Sequence, residues 1–153
     1  MRDGADDVAF LDGSEIAEAN LTGKTTPGPP VAFVSTAAMV RGPSPAKSLA
    51  GLAGKAICFY QGSNAHRNLE AWMGALKLDF VRMGDMEYGE LYDAYDAGVC
   101  EAQVGERNDL APARLSAKTP PSRILSEPLR TFPVIAVTPV NDPQWSAIVA
   151  WAI

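Results

Sequence analysis

Two short stretches of this chain carry residue types that can hold a small charged molecule. Gln61-Gly62-Ser63-Asn64 sets a small residue, a hydroxyl and consecutive backbone N–H groups just ahead of a helical pattern. N–H groups at the positive end of a helix hold a carboxylate or phosphate without a metal. Glu106-Arg107-Asn108-Asp109 places a carboxylate where it can pair with an ammonium group, with Arg107 as an accessory cation. The plainer readings are an ordinary N-cap for the first stretch and a solvated charged turn for the second. His66, the only histidine, follows Ser63 by three residues, so on a helix the two share a face. If the chain is an enzyme, Ser63 and His66 are the pair of a serine-type ester hydrolase, with the turn amides as oxyanion hole. No Gly-x-Ser-x-Gly elbow accompanies them. One histidine and two cysteines offer no zinc spacing, so neither a metal nor a cofactor is expected.

Cys58 and Cys100 each sit in an apolar, strand-like setting, Ala56-Ile57-Cys58-Phe59-Tyr60 and Gly98-Val99-Cys100-Glu101-Ala102. Neighbouring strands can bring them within bonding range, and two buried free thiols fit the same residues.

The elements that must position these groups follow from the hydrophobic pattern. Residues 1–30, rich in Gly, Asp, Thr and Pro, read as an arm or linker, with hints of short structure at Val8 to Leu11 and Ser14 to Ala19. The run Thr25-Thr26-Pro27-Gly28-Pro29-Pro30 argues against a regular element. Residues 31–140 read as alternating strands and helices. Strands are expected at 31–40, 55–60, 78–83, 99–106, 123–125 and 132–137, the last at a sheet edge because of Pro133. Ser63 caps a helix with Leu69, Trp72, Met73 and Leu76 at inward spacing. A second helix covers 86–97 and stops at Gly98, with Asp85, Glu87, Glu90, Asp93 and Asp96 as its solvated side. A third covers 109–117, begun by Asn108 or Asp109. Residues 141–153 form a C-terminal helix opened by Asp142-Pro143, with Trp145, Ile148, Val149 and Ile153 inward. Trp72, Trp145 and Trp151 read as core aromatics.

Strands alternating with helices imply right-handed crossovers and a three-layer α/β fold, a mostly parallel sheet with helices on both faces. In such sheets a ligand lies beyond the carboxyl ends of the strands. That places Gln61 to His66 and Gly105 to Asp109 at the mouth of one site.

The chain has 153 residues, 47% of them hydrophobic, and a formal net charge of −5. Lysines and arginines are scattered singly without a stripe that tracks phosphates, which excludes nucleic acid as an expected partner. No apolar run approaches the roughly 20 residues of a spanning helix. Met1 to Asp12 is acidic where a signal peptide is basic then apolar, so an exported protein of this sequence is expected to come from a longer parent.

Lys55 to Ser63, Tyr95 to Glu101, Glu127-Pro128-Leu129 and Asp142 to Ile153, in that order, resemble the general L-amino-acid-binding proteins of bacterial ABC uptake systems. The match runs from about Val31 to Ile153; the paired cysteines and the tryptophan-containing last helix are its most specific parts. The resemblance implies a single lobe of a type II periplasmic binding protein, mainly the second, with residues 1–30 an arm or a remnant of the first. It implies a periplasmic location, an amino acid or small carboxylate as ligand, a transporter membrane component as partner, and a bond between Cys58 and Cys100. In the family, the turn matching Gln61-Gly62-Ser63-Asn64 grips the α-carboxylate and an acidic residue matching Glu106 holds the α-amino group. This chain departs from the usual Thr-Gly-Thr of the turn and has Glu where Asp is common. The first lobe normally adds an Arg and aromatic contacts, so a lone second lobe should bind weakly or not at all. A face left without its partner lobe, or the N-terminal arm, also offers a route to a homodimer and hence to a self-associating structural role.

Overall fold

The computed structural model describes residues 7–13, 15–16, 23–84, 88–117 and 121–153. Ser14, the stretch 17–19 and residues 85–87, which figure in the expectations above, lie outside them. The chain forms two compact units, Ser35–Arg130 and the pair of segments Met1–Val34 and Thr131–Ile153.

In the unit Ser35–Arg130, β3 (Ala56–Phe59) pairs in parallel with β4 (Val81–Met83) and with β5 (Ala102–Glu106). The last part of β2 (Thr25–Val40) runs antiparallel to β5, Met39 opposite Gln103, and β6 (Arg123–Ile124) also pairs with β2. The sheet is therefore mixed, with parallel order confined to β4-β3-β5.

The alternation of strand side chains separates two cores. Ala38 and Val40 of β2 join Ile57, Phe59, Ala102 and Val104 against Leu69 and Met73 of helix α1 (Asn64–Ala75). Ala37 and Met39 join Tyr95 of α2 (Tyr88–Ala97) and Leu110 of α3 (Arg107–Ser116). Helices thus cover both faces, as expected of an α/β lobe, and each such Leu or Met contributes roughly 1.5–3 kcal/mol on full burial. A third cluster holds the bonded Cys58 and Cys100 with Leu91 of α2.

Local signals set the helix ends. Ser63 caps α1 by accepting the His66 N–H, and Gly98 leaves α2 at φ +81°, a conformation only glycine adopts without strain. Leu76, expected inward, is the C-terminal cap of α1 and 51% exposed, because the chain turns out of the helix there, with Lys77 at φ 54° and the Leu78 N–H bonded back to the Met73 carbonyl at 2.9 Å. Helix α3 starts two residues earlier than expected: Glu106, not Asn108 or Asp109, is its N-cap, and its side chain makes no capping bond. Strand β5 runs straight into the helix.

In the other unit, β1 (Ala9–Leu11) runs antiparallel to β7 (Arg130–Pro139), and β7 lies beside β2. Thr25 to Pro30, expected to be irregular, are the first residues of β2. Proline's fixed φ is compatible with an extended chain, and Gly28 lets the backbones close: a Cβ there would lie 3.0 Å from the Ala136 carbonyl oxygen. Pro133 does not mark an edge strand, since β7 has neighbours on both sides. On the β1 side the pairing covers only Ile135 to Val137, so Pro133 lies beyond that ladder.

Helix α4 (Pro143–Ala152) opens as expected, with Asp142 accepting the Trp145 N–H and Pro143 in its first turn. Its buried stripe is narrower than expected. Val149 is buried, but Ile148, Ile153 and Trp151 are 55%, 51% and 89% exposed, so Trp151 is not a core aromatic. Residues 145 and 149 share one line along the helix, whereas 148 and 151 fall on its flank.

Candidate functional site

The turn after β3 is held by its own side chains. Ser63 Oγ donates to the Tyr60 carbonyl at 2.6 Å and accepts the His66 N–H at 3.1 Å. Gly62, at φ +75°, donates its N–H to His66 Nδ1 at 3.2 Å. Arg67 Nη1 donates to the Gly62 carbonyl at 2.7 Å, and Arg67 Nη2 donates to Asn64 Oδ1. The His66 ring lies flat on Phe59, centroids 4.4 Å apart, and its Nε2 faces Glu70 at 3.4 Å. With Nδ1 accepting, the ring proton belongs on Nε2.

The geometry of Ser63 and His66 bears on the hydrolase reading. The Ser63 hydroxyl proton points to a carbonyl, both imidazole nitrogens face other groups, and no hydrogen bond joins the Ser63 and His66 side chains. A nucleophile needs its base within hydrogen-bond reach. Ser63 is a helix cap here, and Ser63→Ala should lower stability by about 1 kcal/mol, read as a urea midpoint; a loss above twice that would mean the hydroxyl does more than cap.

Beyond the carboxyl ends of β3 and β5 lies a cleft of about 120 Å³. Ser63 and Asn64 line it from the start of α1, Glu106 and Asp109 from the start of α3, and Tyr92 from α2. Of the residues expected at the site, Ser63, Asn64 and Glu106 meet there, while Gln61, Gly62 and Arg107 are not among the lining residues. The Arg107 guanidinium donates instead to the carbonyls of Leu125 (3.0 Å) and Ser126 (3.3 Å), bracing the segment after β6.

Sequence reasoning missed Tyr92 and Gln103. Gln103 is the second residue of β5, 2% exposed, opposite Cys58 and Met39 on the face covered by α2 and α3. A polar residue at a strand position that otherwise takes Val or Met was the signal that could have found it. Its amide bonds to the Tyr92 hydroxyl, and its Oε1 has no hydrogen-bond partner. Such an unpaired buried acceptor costs about 1–3 kcal/mol. By contrast, the buried Asn68 amide on the other face is satisfied by Thr36 Oγ1 at 2.9 Å. Burial holds the Tyr92 hydroxyl's pKa above its ordinary value; the Asp109 carboxylate pushes the same way and the Gln103 bond opposes both. The Tyr95 hydroxyl is likewise raised by burial, against its bond to Ser122.

Among the described residues no group of His, Cys, Asp or Glu is arranged to hold a metal ion, and no helix is long and apolar enough to cross a membrane.

No protein-family model matches the chain. It is 32% identical over 114 residues to the general L-amino acid-binding periplasmic protein AapJ of Rhizobium johnstonii, a match covering 74% of this chain and 33% of that protein. Its fold is similar to an ABC transporter periplasmic binding protein from Brucella ovis with glutathione bound, at 21% identity and a TM-score of 0.71, over 88% of this chain and 43% of the other. It is similar also to the probable amino-acid ABC transporter extracellular-binding protein ytmK of Bacillus subtilis, at 14% identity and a TM-score of 0.72, over 89% of this chain and 58% of the other. The second substrate binding domain of a putative amino acid ABC transporter from Streptococcus pneumoniae gives 13% identity and a TM-score of 0.71, over 97% of this chain and 65% of that one. The chain thus spans a third of the curated relative's length and between two fifths and two thirds of these structures. All are binding proteins.

Proposed function

Because the chain is related in sequence to a general L-amino-acid-binding periplasmic protein and in fold to one lobe of ABC-transporter binding proteins, we propose that it is an amino-acid-binding lobe serving such an uptake system. Its place of work is then the periplasm and its partner the membrane component of a transporter. The observation that carries this reading is the cleft beyond β3 and β5, lined from one side by Ser63 and Asn64 at a helix start and from the other by Glu106. An α-amino acid is dipolar in the same sense. Its carboxylate suits the positive end of α1, and its ammonium group suits the Glu106 carboxylate. Gly62 holds the turn from outside the cleft, and Arg107, next to Glu106, ties the start of α3 to the segment after β6.

The test is isothermal titration of the purified, oxidised chain with a panel of L-amino acids and small carboxylates. Binding of at least one α-amino acid is expected, with Glu106→Gln weakening it about tenfold or more, since truncating one partner of a charge pair leaves the other uncompensated. No heat and no thermal shift with any member of the panel would overturn the reading.

A further inference from the structure

The chemistry of the cleft wall points past the backbone of an amino acid to its side chain. We propose that Gln103, Tyr92 and Asp109 form a side-chain subsite that selects an amino acid with a cationic, N–H-donating side chain, an ammonium or a guanidinium. The inference rests on the binding reading above and adds the ligand class to it.

Three observations carry it. Gln103 is almost wholly buried, lines the cleft, and keeps an acceptor oxygen with no hydrogen-bond partner. A buried acceptor is normally matched to a donor, and an N–H brought in by a ligand is such a donor. The position is polar where its neighbours on the same face, Met39, Cys58 and Leu110, are apolar, so packing alone does not ask for glutamine there. Finally, Asp109 lines the same cleft and is close enough to Tyr92 to act on its hydroxyl, while Tyr92 is bonded to Gln103. An acceptor oxygen and a carboxylate lining one cleft match a group with several N–H donors and a positive charge. An apolar side chain would leave Oε1 unpaired, and an acidic one would meet Asp109.

The experiment titrates the full oxidised chain with L-arginine, L-lysine, L-alanine and L-glutamate by calorimetry, for the wild type, Gln103→Met and Gln103→Glu. The wild type is expected to hold arginine or lysine more tightly than alanine, and Gln103→Met to reduce that ratio about tenfold, the size of a lost hydrogen bond to a charged group. Gln103→Glu keeps an acceptor in place and should keep or raise the ratio. An unchanged ratio in Gln103→Met, or an equal loss for arginine and alanine, would overturn the subsite, the second by assigning Gln103 to the α-ammonium group. Wild-type preference for glutamate would overturn it too, since the amide N–H would then face the cleft. Should Gln103→Met fail to fold by circular dichroism, Gln103→Glu decides alone, and a fallen ratio there sinks the proposal. Absence of binding by every amino acid defeats the binding reading itself and this subsite with it, whereas binding without cation preference defeats the subsite alone.

Discussion

Reduction of the Cys58–Cys100 bond is expected to lower the unfolding free energy by about 4 kcal/mol, which follows from the chain entropy released when a loop of this length opens. The bond spans 42 residues of sequence and encloses β3, α1, β4 and α2. Both sulfurs are fully buried beside Leu91, so the reduced protein keeps nearly the same packing and loses the cross-link alone. That makes reduction a cleaner test than substitution, which would add a cavity. A domain's whole stability is typically about 5–15 kcal/mol, so the effect removes a large share of it. The measurement is urea unfolding with and without reductant, with free thiols counted at the end. Coincident midpoints in a fully reduced sample would show that the cross-link does not constrain the unfolded chain. Cys58 stands opposite Gln103 in the register of β3 and β5. The bond therefore also pins the strand that carries the cleft wall, and ligand binding should weaken on reduction even where the protein stays folded.

The residues legible in the sequence are those whose structure is decided locally. Ser63 announces its helix because a cap bonds only three residues ahead, and Asp142-Pro143 does the same for α4. Helical spacing puts Leu69 and Met73 inward, and they are buried. What failed was decided at long range. Thr25 to Pro30 look like a linker in isolation, yet they are the start of β2 beside β7, more than a hundred residues further along. No local rule foretells that Trp151 faces solvent, because a helix with apolar residues all round takes its inward side from whatever it packs on. The site shows the same split. Glu106 was legible as a strand-end carboxylate. Arg107 beside it was not, since its direction depends on the carbonyls of Leu125 and Ser126. Gln103 matters only once β5 has a register and α2 covers it.

Phe59→Ala is expected to cost about 3–5 kcal/mol, the range for truncating a buried aromatic, and to weaken ligand binding as well. Phe59 is the last residue of β3, 1% exposed, packed in the larger core with its ring edge-on to Phe80 at 6.1 Å. Its other contact gives it a role beyond packing. The His66 ring stacks on it within 13° of parallel, and that same ring accepts the Gly62 N–H through Nδ1. Removing the phenyl ring therefore frees the histidine that fixes the turn, and the turn carries Ser63 and Asn64 to the cleft. Two companion variants separate the effects. Phe59→Leu keeps much of the apolar volume and should cost less than about 1.5 kcal/mol, while losing the flat stack. His66→Ala leaves the core filled and releases the Gly62 N–H. If stability follows volume, Phe59→Leu will resemble the wild type in urea; if affinity follows the stack, Phe59→Leu and His66→Ala will weaken binding alike. A loss below about 1 kcal/mol in Phe59→Ala would instead mean that the core collapses around the gap, contrary to the close packing of a buried strand end.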